Sequence, residues 1–200
     1  MPIVRNISKG LAKYVCVPIN VRLALFAFSI RHFSLGFVNA NKFIERLSKP
    51  CIIPILRKYG ATIGENCDIE TGLIFHNCSD YLNLLVGNNC HIGKNCLFDL
   101  RSMVIIENNV TISMKTTIIT HQDLGNSDLI SLYPESHKDV IIKENCYIGV
   151  NTTILKGVTI NRSSIVAASS LVTKDVIAYT IVGGIPAKEL KKINGIKNTD

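Results

Sequence analysis

Ile142-Lys-Glu-Asn-Cys146-Tyr, Ile148-Gly-Val-Asn-Thr152-Thr and Ile154-Leu-Lys-Gly-Val158-Thr repeat one six-residue pattern, which continues in the same register to Val176. An aliphatic residue opens each block, and a small or β-branched residue follows four positions later. This spacing matches neither the helical period of about 3.6 residues nor the strand period of about 2. A fixed internal repeat predicts a solenoid.

The simplest solenoid of this kind is a prism in which three six-residue sides make one coil. The aliphatic residues point to the axis, and stacked coils share one core because no single coil can bury its own apolar side. Asn or Gly often precedes the small position, and both tolerate the left-handed backbone of a tight corner. We expect such corners at Asn66, Asn89, Asn95, Asn109, Asn145, Asn151 and Gly157.

Composition agrees with a narrow coil filled by Ile, Val, Cys and Thr. The 200 residues are 47% hydrophobic and only 6% aromatic, without Trp, which allows one domain or one domain with an arm. Of seven cysteines, four occupy the small inward position, where Cys acts as a small hydrophobe (Cys67, Cys90, Cys96, Cys146). No zinc-type cysteine spacing and no cleavable signal are evident, so we expect a reduced, cytoplasmic protein without metal.

The basic residues are concentrated in an N-terminal arm, residues 1–60. This arm has ten Lys/Arg and one Glu, a charge of +9, whereas the remaining 140 residues have a charge of −2. Such asymmetry suggests an anionic partner, a membrane surface or nucleic acid. Apolar spacing predicts an amphipathic helix with Pro18 as its upstream limit (Leu23, Phe26, Ala27, Ile30, Phe33, Ser34, Phe37).

A second short helix is expected over 40–47, followed by breaks at Pro50 and Pro54. The uncharged run from Leu23 to Ile30 is far shorter than the ~20 residues of a membrane span. We interpret the arm as a cap that covers the open end of the coil or packs on a partner subunit, because solenoid ends need covering. Peripheral membrane contact through residues 20–60 is the alternative, and it places the protein at the inner face of the membrane.

The repeat is interrupted at 71–85, between Phe98 and Ile106, and most extensively from His121 to Asp139. An extended polar loop inside a regular solenoid is commonly where function lies. Gly183-Gly-Ile-Pro186 ends the coil, and Ala187 to Ile193 is read as a short basic helix or tail. The predicted divisions are an arm at 1–60, a coil at 61–182 and a tail at 183–200.

The chain resembles the hexapeptide-repeat acyltransferases, in particular sugar and polysaccharide O-acetyltransferases and the galactoside, maltose and serine acetyltransferases. The resemblance rests on the repeats, on Thr120-His121 and on the closing run from Cys146 to Leu190. It implies a left-handed parallel β-helix, a homotrimer, acetyl-CoA as the donor and active sites in clefts between subunits.

His121 is the general base that the resemblance implies, and an imidazole titrates near working pH. Asp123 or a backbone carbonyl is expected to orient its other ring nitrogen. Asp99 lies where two residues are inserted, and it would orient an acceptor hydroxyl or, from the adjacent subunit, the base. The alternatives are a surface histidine and an ordinary turn carboxylate.

The resemblance places the pantetheine arm of the donor beside Gly149, Val150, Ala167 and Ala168, where a backbone amide could also stabilise the oxyanion. It places the nucleotide end beside Thr173, Lys174 and Lys188, which belong to the same closing run. The alternative is that the small residues fill corners and the lysines form a solvated face.

We therefore expect an acetyl-CoA-dependent O-acetyltransferase of a sugar hydroxyl in a surface-polysaccharide or glycan precursor, with a saccharide acceptor and no nucleic acid. An amino-sugar N-acetyltransferase and a serine- or antibiotic-directed enzyme remain alternatives. A γ-type carbonic anhydrase is disfavoured because the five histidines show no HxxxxH pair. A non-catalytic trimeric scaffold is the alternative from another class.

Overall fold

Residues 62–184 form a left-handed parallel β-helix of about six coils, as the resemblance implied. The structure is a computed structural model that describes residues 3–194, with side chains from residue 19 onward. Each coil crosses three walls in turn, and each wall is a sheet whose strands stack along the axis. The three sides predicted from the six-residue pattern are these walls.

Each wall is built of short strands, one from each coil. The first wall contains β1 (Thr62–Ile63), β4 (Leu84–Val86), β7 (Val104–Ile106), β12 (Val140–Ile142) and β15 (Thr159–Ile160). The second contains β2 (Asp68–Ile69), β5 (His91–Ile92), β8 (Thr111–Ile112), β13 (Tyr147–Ile148), β16 (Ile165–Val166), β18 (Thr180–Gly184) and β19 (Ala187–Lys192). The third contains β3 (Ile74–His76), β6 (Leu97–Asp99), β9 (Thr117–Ile118), β14 (Thr153–Ile154) and β17 (Leu171–Val172).

The core follows the repeat. The block-opening residues Ile106, Ile112, Ile118, Ile148 and Ile154 are at most 1% exposed, which confirms the inward aliphatic position. The residues at the small positions are also buried (Cys90, Cys96, Val110, Thr116, Cys146, Thr152, Val158). Cys67 is the exception and is half-buried. Burial raises the pKa of the Cys96 and Cys146 thiols to about 11, so these thiols stay neutral and act as small apolar groups.

All seven corner residues expected to have a left-handed backbone have a positive φ. The six asparagines have φ between 56° and 59°, and Gly157 has φ 77°. Asn66, Asn89, Asn109 and Asn145 line the edge between the first and second walls, which we call the asparagine edge. Their side chains join successive coils, since Asn66 Nδ2 donates to Asn89 Oδ1 at 3.3 Å and Asn89 Nδ2 to Asn109 Oδ1 at 3.1 Å.

The arm consists of α1 (Ile3–Leu35), α2 (Phe37–Asn41), a 3₁₀ turn (Ile44–Arg46) and α3 (Lys49–Lys58). Pro18 does not end α1, and Pro50 and Pro54 lie within α3, so all three proline breaks expected from the sequence are wrong. Pro50 is tolerated because the N–H groups of a first helical turn have no helical acceptor. Pro54 removes one hydrogen bond from a helix that is otherwise held by its buried face.

The arm packs on the first coil, in agreement with a cap. Phe28, Ile52, Ile55 and Leu56 are fully buried and are continuous with the core of the coil. Tyr81 fixes the junction, because its hydroxyl donates to Asn41 Oδ1 at 2.9 Å. None of the helices in residues 3–194 is long and apolar enough to cross a membrane.

The C-terminal segment is a strand, whereas the sequence indicated a short helix or a tail. β19 pairs antiparallel with β18 and extends the second wall. Its sequence, AKELKK, has good helix formers, but the free edge of β18 offers backbone partners that outweigh this local preference.

Candidate active site

All three interruptions of the repeat fall at the same edge of the prism, between the third wall and the first wall of the next coil. Residues 77–83 follow β3, residues 100–103 follow β6 and residues 119–139 follow β9. We call this the interrupted edge. Insertions here leave the inward residues of all three walls in register, so the core is unaffected.

Asp99 and His121 meet on this edge within one chain. Asp99 ends β6, and His121 begins β10 (His121–Gln122) directly after the buried Thr120. The Nδ1 of His121 lies 2.6 Å from Oδ2 of Asp99. The Asp99 side chain is fully buried, whereas the imidazole of His121 is 20% exposed, so a substrate can reach only the histidine.

Asp99 is held as a carboxylate. Burial favours the neutral form, but hydrogen bonds from His121, from the backbone and hydroxyl of Thr120 and from Asn77 outweigh it and lower the pKa to about 2. Both Thr120 donors lie 2.8 Å from Oδ2. A fixed negative charge beside Nδ1 keeps the proton on that nitrogen and leaves Nε2 as the acceptor.

Asn77 is a third polar residue beside Asp99 and His121, and it was not predicted from the sequence. Its Nδ2 donates to Asp99 Oδ1 at 3.1 Å and lies 3.4 Å from each ring nitrogen of His121. An atom equidistant from both nitrogens lies along neither in-plane lone pair, so Nε2 stays available. β3 pairs with β6 with His76 opposite Asp99, so the register one coil back leads to His76, and Asn77 is the residue that follows it.

Asp123, one of the alternatives expected to orient His121, makes its hydrogen bond and its ion pair with other residues. Its Oδ1 accepts from the amide of Gly125 at 2.8 Å, and its Oδ2 lies 3.9 Å from Nη1 of Arg101. The orienting carboxylate is Asp99 of the same chain rather than of a neighbouring subunit. Its complete burial also removes it from contact with an acceptor hydroxyl.

The loop after β9 is a hairpin beside the histidine. β10 pairs antiparallel with β11 (Ser136–His137). Arg101 Nη1 donates to Glu135 Oε1 at 2.5 Å, and Nζ of Lys156 donates to Ser136 Oγ at 2.7 Å, so the β11 side of the hairpin is tied to residues outside it. A cavity of about 360 Å³ opens here and is lined by Ile119, His121, Gln122, Asp123, Leu155 and Lys156.

The residues expected to hold the donor lie mostly on another edge. Gly149, Val150, Ala167 and Ala168 follow β13 and β16, between the second and third walls, on what we call the small-residue edge. The amide of Gly149 donates to Val166 O at 2.8 Å and is therefore unavailable to an oxyanion. A Cβ at Gly149 would lie 2.5 Å from the nitrogen of Ala168, so the stacking of coils requires glycine here.

Thr173 and Lys174 lie on the interrupted edge, two coils beyond His121. Lys174 lines a cavity of about 180 Å³ together with Ala187 and Glu189, and Lys188 lies between these two on β19. The width of the third wall separates the small-residue edge from His121, so one chain does not bring all the predicted site residues together. Within residues 3–194, no group of three His, Cys, Asp or Glu side chains is arranged to hold a metal ion.

Comparison with known proteins identifies the repeat. The model of the hexapeptide repeat of succinyl-transferase matches residues 84–118 and 139–174, on both sides of the loop that follows β9. No curated protein matches it in sequence at a significant level.

Solved structures share the fold across nearly the whole chain. A hexapeptide-repeat containing acetyltransferase from Vibrio cholerae has a TM-score of 0.68 at 22% identity and covers 88% of this chain and 93% of its own. A maltose O-acetyltransferase from Clostridium difficile has a TM-score of 0.64 at 23% identity, with 92% and 91% coverage. A galactoside acetyltransferase in complex with coenzyme A has a TM-score of 0.57 at 22% identity, with 89% and 82% coverage.

Proposed function

We propose that this protein is an acetyl-CoA-dependent O-acetyltransferase that acetylates a sugar hydroxyl, with His121 as general base. The observation that carries the proposal is the buried Asp99 carboxylate bonded to a histidine that opens into a cavity. The fold supports the donor, because the Vibrio cholerae acetyltransferase has been solved with acetyl-CoA and the galactoside acetyltransferase with coenzyme A.

The chemistry follows from the tautomer that Asp99 imposes. Nε2 of His121 accepts the proton of the acceptor hydroxyl. At the same time, the oxygen of that hydroxyl attacks the thioester carbonyl, forming a C–O bond and an oxyanion. Collapse of this tetrahedral intermediate breaks the C–S bond, and the imidazolium returns the proton to the leaving sulfur. Asp99 stabilises the imidazolium between the two steps, as a buried carboxylate does in other nucleophile–histidine systems.

The proposal includes a homotrimer. Gly149, Val150, Ala167 and Ala168 occupy the small-residue edge and His121 the interrupted edge, so a neighbouring copy that brings one edge against the other would complete the site. The hairpin after β9 exposes apolar side chains that such a neighbour would cover (Leu129, Ile130, Leu132, Tyr133). Lys174 and Lys188 are then point charges for the phosphates of the donor.

The proposed acceptor is a saccharide of a glycan precursor. The cavity beside His121 combines apolar walls, Ile119 and Leu155, with polar groups on Gln122, Asp123 and Lys156. This mixture suits a sugar, which presents both a C–H face and hydroxyls. The described cysteines are free thiols rather than disulfides, which agrees with a reducing, cytoplasmic setting for the reaction.

The test is acetyl-CoA turnover with sugar acceptors. His121→Ala is expected to lower the rate of CoA release roughly 10²- to 10⁴-fold, because it removes the general base. His137→Ala is the matched control, since His137 is exposed and pairs directly opposite His121 across the hairpin. The control should retain activity within about twofold, and both variants should keep the melting temperature of the wild type.

Two other results would redirect the assignment. Turnover with amino sugars alone would identify an N-acetyltransferase. No turnover with any acceptor, together with no thermal shift on adding acetyl-CoA, would favour a scaffold without catalysis.

A further inference from the structure

Helix α1 carries an apolar stripe that faces away from the protein. Its residues follow one another at intervals of four and three, which places them on one side of the helix (Ile19, Leu23, Phe26, Ile30, Phe33). They are 49% to 96% exposed. The sequence predicted an amphipathic helix here, but its strongest apolar face points to solvent rather than to the coil.

The stripe cannot turn inward, because the opposite face of α1 is already packed. Ala24 and Phe28 are buried on that face. The ring of Phe28 lies 4.5 Å from that of Tyr59, and Ser29 Oγ lies 2.9 Å from the Tyr59 hydroxyl. The exposed stripe is therefore a fixed feature of the fold, and an apolar surface of this extent indicates a partner.

Charge decides which partner fits. α1 contains five Lys/Arg residues and no Asp or Glu (Arg5, Lys9, Lys13, Arg22, Arg31). Among residues 19–35, where the structure describes side chains, α1 has Arg22 and Arg31 and no acid. Association of this part of α1 with copies of itself would bring cations together, whereas a helix seam between chains is normally flanked by complementary charges. An anionic surface would neutralise them instead.

A basic cavity lies beside the stripe. Arg31, next to Ile30 of the stripe, forms it together with Lys42, Arg46, Asn39, Phe43 and Glu45, and its volume is about 380 Å³. The Arg31 guanidinium is held 4.2 Å above the Phe43 ring. Two other arm cations are paired with acids of the coil, Lys49 with Glu70 and Arg57 with Glu65. Lys42 and Arg46 instead lie with Arg31 around one cavity, an arrangement that can receive an anion.

We propose that α1 lies in the interface of an anionic lipid bilayer, with the apolar stripe among the acyl chains and lipid phosphates at the basic cavity. An apolar face flanked by Lys and Arg is the pattern of helices that bind along a membrane surface rather than across it. Binding then depends both on apolar area and on attraction to anionic headgroups. The proposal is independent of the acetyl-transfer activity.

The test is flotation of the full chain with phosphatidylcholine vesicles, with and without phosphatidylglycerol. Wild type should float with the anionic vesicles alone and should be partly released by salt, which screens exposed charges. Phe26→Ser/Phe33→Ser should lower binding more than tenfold, and Lys42→Gln/Arg46→Gln should lower it severalfold. Leu82→Ser and Lys94→Gln, at exposed positions of the coil, are the matched controls and should bind like wild type.

Absence of wild-type binding to anionic vesicles would overturn the proposal, as would flotation of the Phe26/Phe33 variant at the wild-type level. Light scattering tests the other explanation, that the stripe is a contact between copies of the chain. A smaller oligomer for the Phe26/Phe33 variant, without any vesicle binding by wild type, would show that the stripe is a contact between copies of the chain.

Discussion

The asparagine edge and the interrupted edge belong to the same coils but differ in every property that matters for function. Along the asparagine edge the six-residue spacing is kept, and side-chain amides join one coil to the next. Along the interrupted edge the chain leaves the coil three times, and Asn77, Asp99 and His121 come together there.

The difference shows where a solenoid can carry a site without loss of its core. A corner residue outside the walls contributes little to the stacked aliphatic layers, so insertions at one edge leave Ile106, Ile142 and Ile160 aligned along the first wall. Neighbouring coils at the regular edge are in close contact and have no such freedom. Three predictions test this contrast, in order of decreasing effect.

The largest effect is expected on catalysis at the interrupted edge. Asp99→Asn should lower the turnover of acetyl-CoA roughly a hundredfold or more, because an amide cannot stabilise the His121 imidazolium and can reverse the tautomer. Asp139→Asn is the matched control, because Asp139 lies on the same edge, is exposed and accepts from the Met103 amide at 2.9 Å. Equal loss of activity in both variants would contradict a specific role for Asp99.

The second effect concerns stability and compares one glycine from each edge. A Cβ at Gly87, on the asparagine edge, would lie 2.8 Å from the nitrogen of Asn108, whereas a Cβ at Gly125, in the hairpin, has no atom within 4 Å. Gly87→Ala should therefore destabilise the protein by roughly 2–3 kcal/mol, since backbone must move. Gly125→Ala, strained only by its φ of +55°, should cost about 1 kcal/mol.

The measurement is thermal or urea unfolding of both variants at one protein concentration, since assembly shifts apparent stability. A larger loss of unfolding free energy in Gly125→Ala than in Gly87→Ala would contradict the expectation that the asparagine edge is the more tightly packed of the two.

The smallest effect is on acid stability. The pKa of Asp99 is lowered to about 2 in the folded protein, so its contribution is present above its unfolded pKa of about 4 and is lost as the pH falls toward 2. Wild type should exceed Asp99→Asn in unfolding free energy by roughly 2 kcal/mol more at pH 6 than near pH 2. Urea titrations across this range measure the difference, and a pH-independent difference would refute it.

The repeat made the fold and part of the site predictable from sequence. His121 was proposed from the resemblance, at the point where the repeat stops, and the corner asparagines were predicted because few residues tolerate positive φ. Lys115, Ser163, Ser169 and Tyr179 take the same conformation without a local signal, since the stacked coils impose it. Pro54 misled because the buried face of α3 holds a helix that a local rule would end, whereas Pro50 lies in the first turn, where proline is compatible with a helix.

By itself, the sequence determined the six-residue register, the inward residues and the position of the polar loop, because these depend on spacing along the chain. Only the tertiary structure decided that Asp99 rather than Asp123 holds His121, that Asn77 joins them and that the apolar face of α1 points outward. Those contacts join residues about twenty or more positions apart on successive coils, or depend on which face of a helix a neighbour covers, and local spacing cannot specify either.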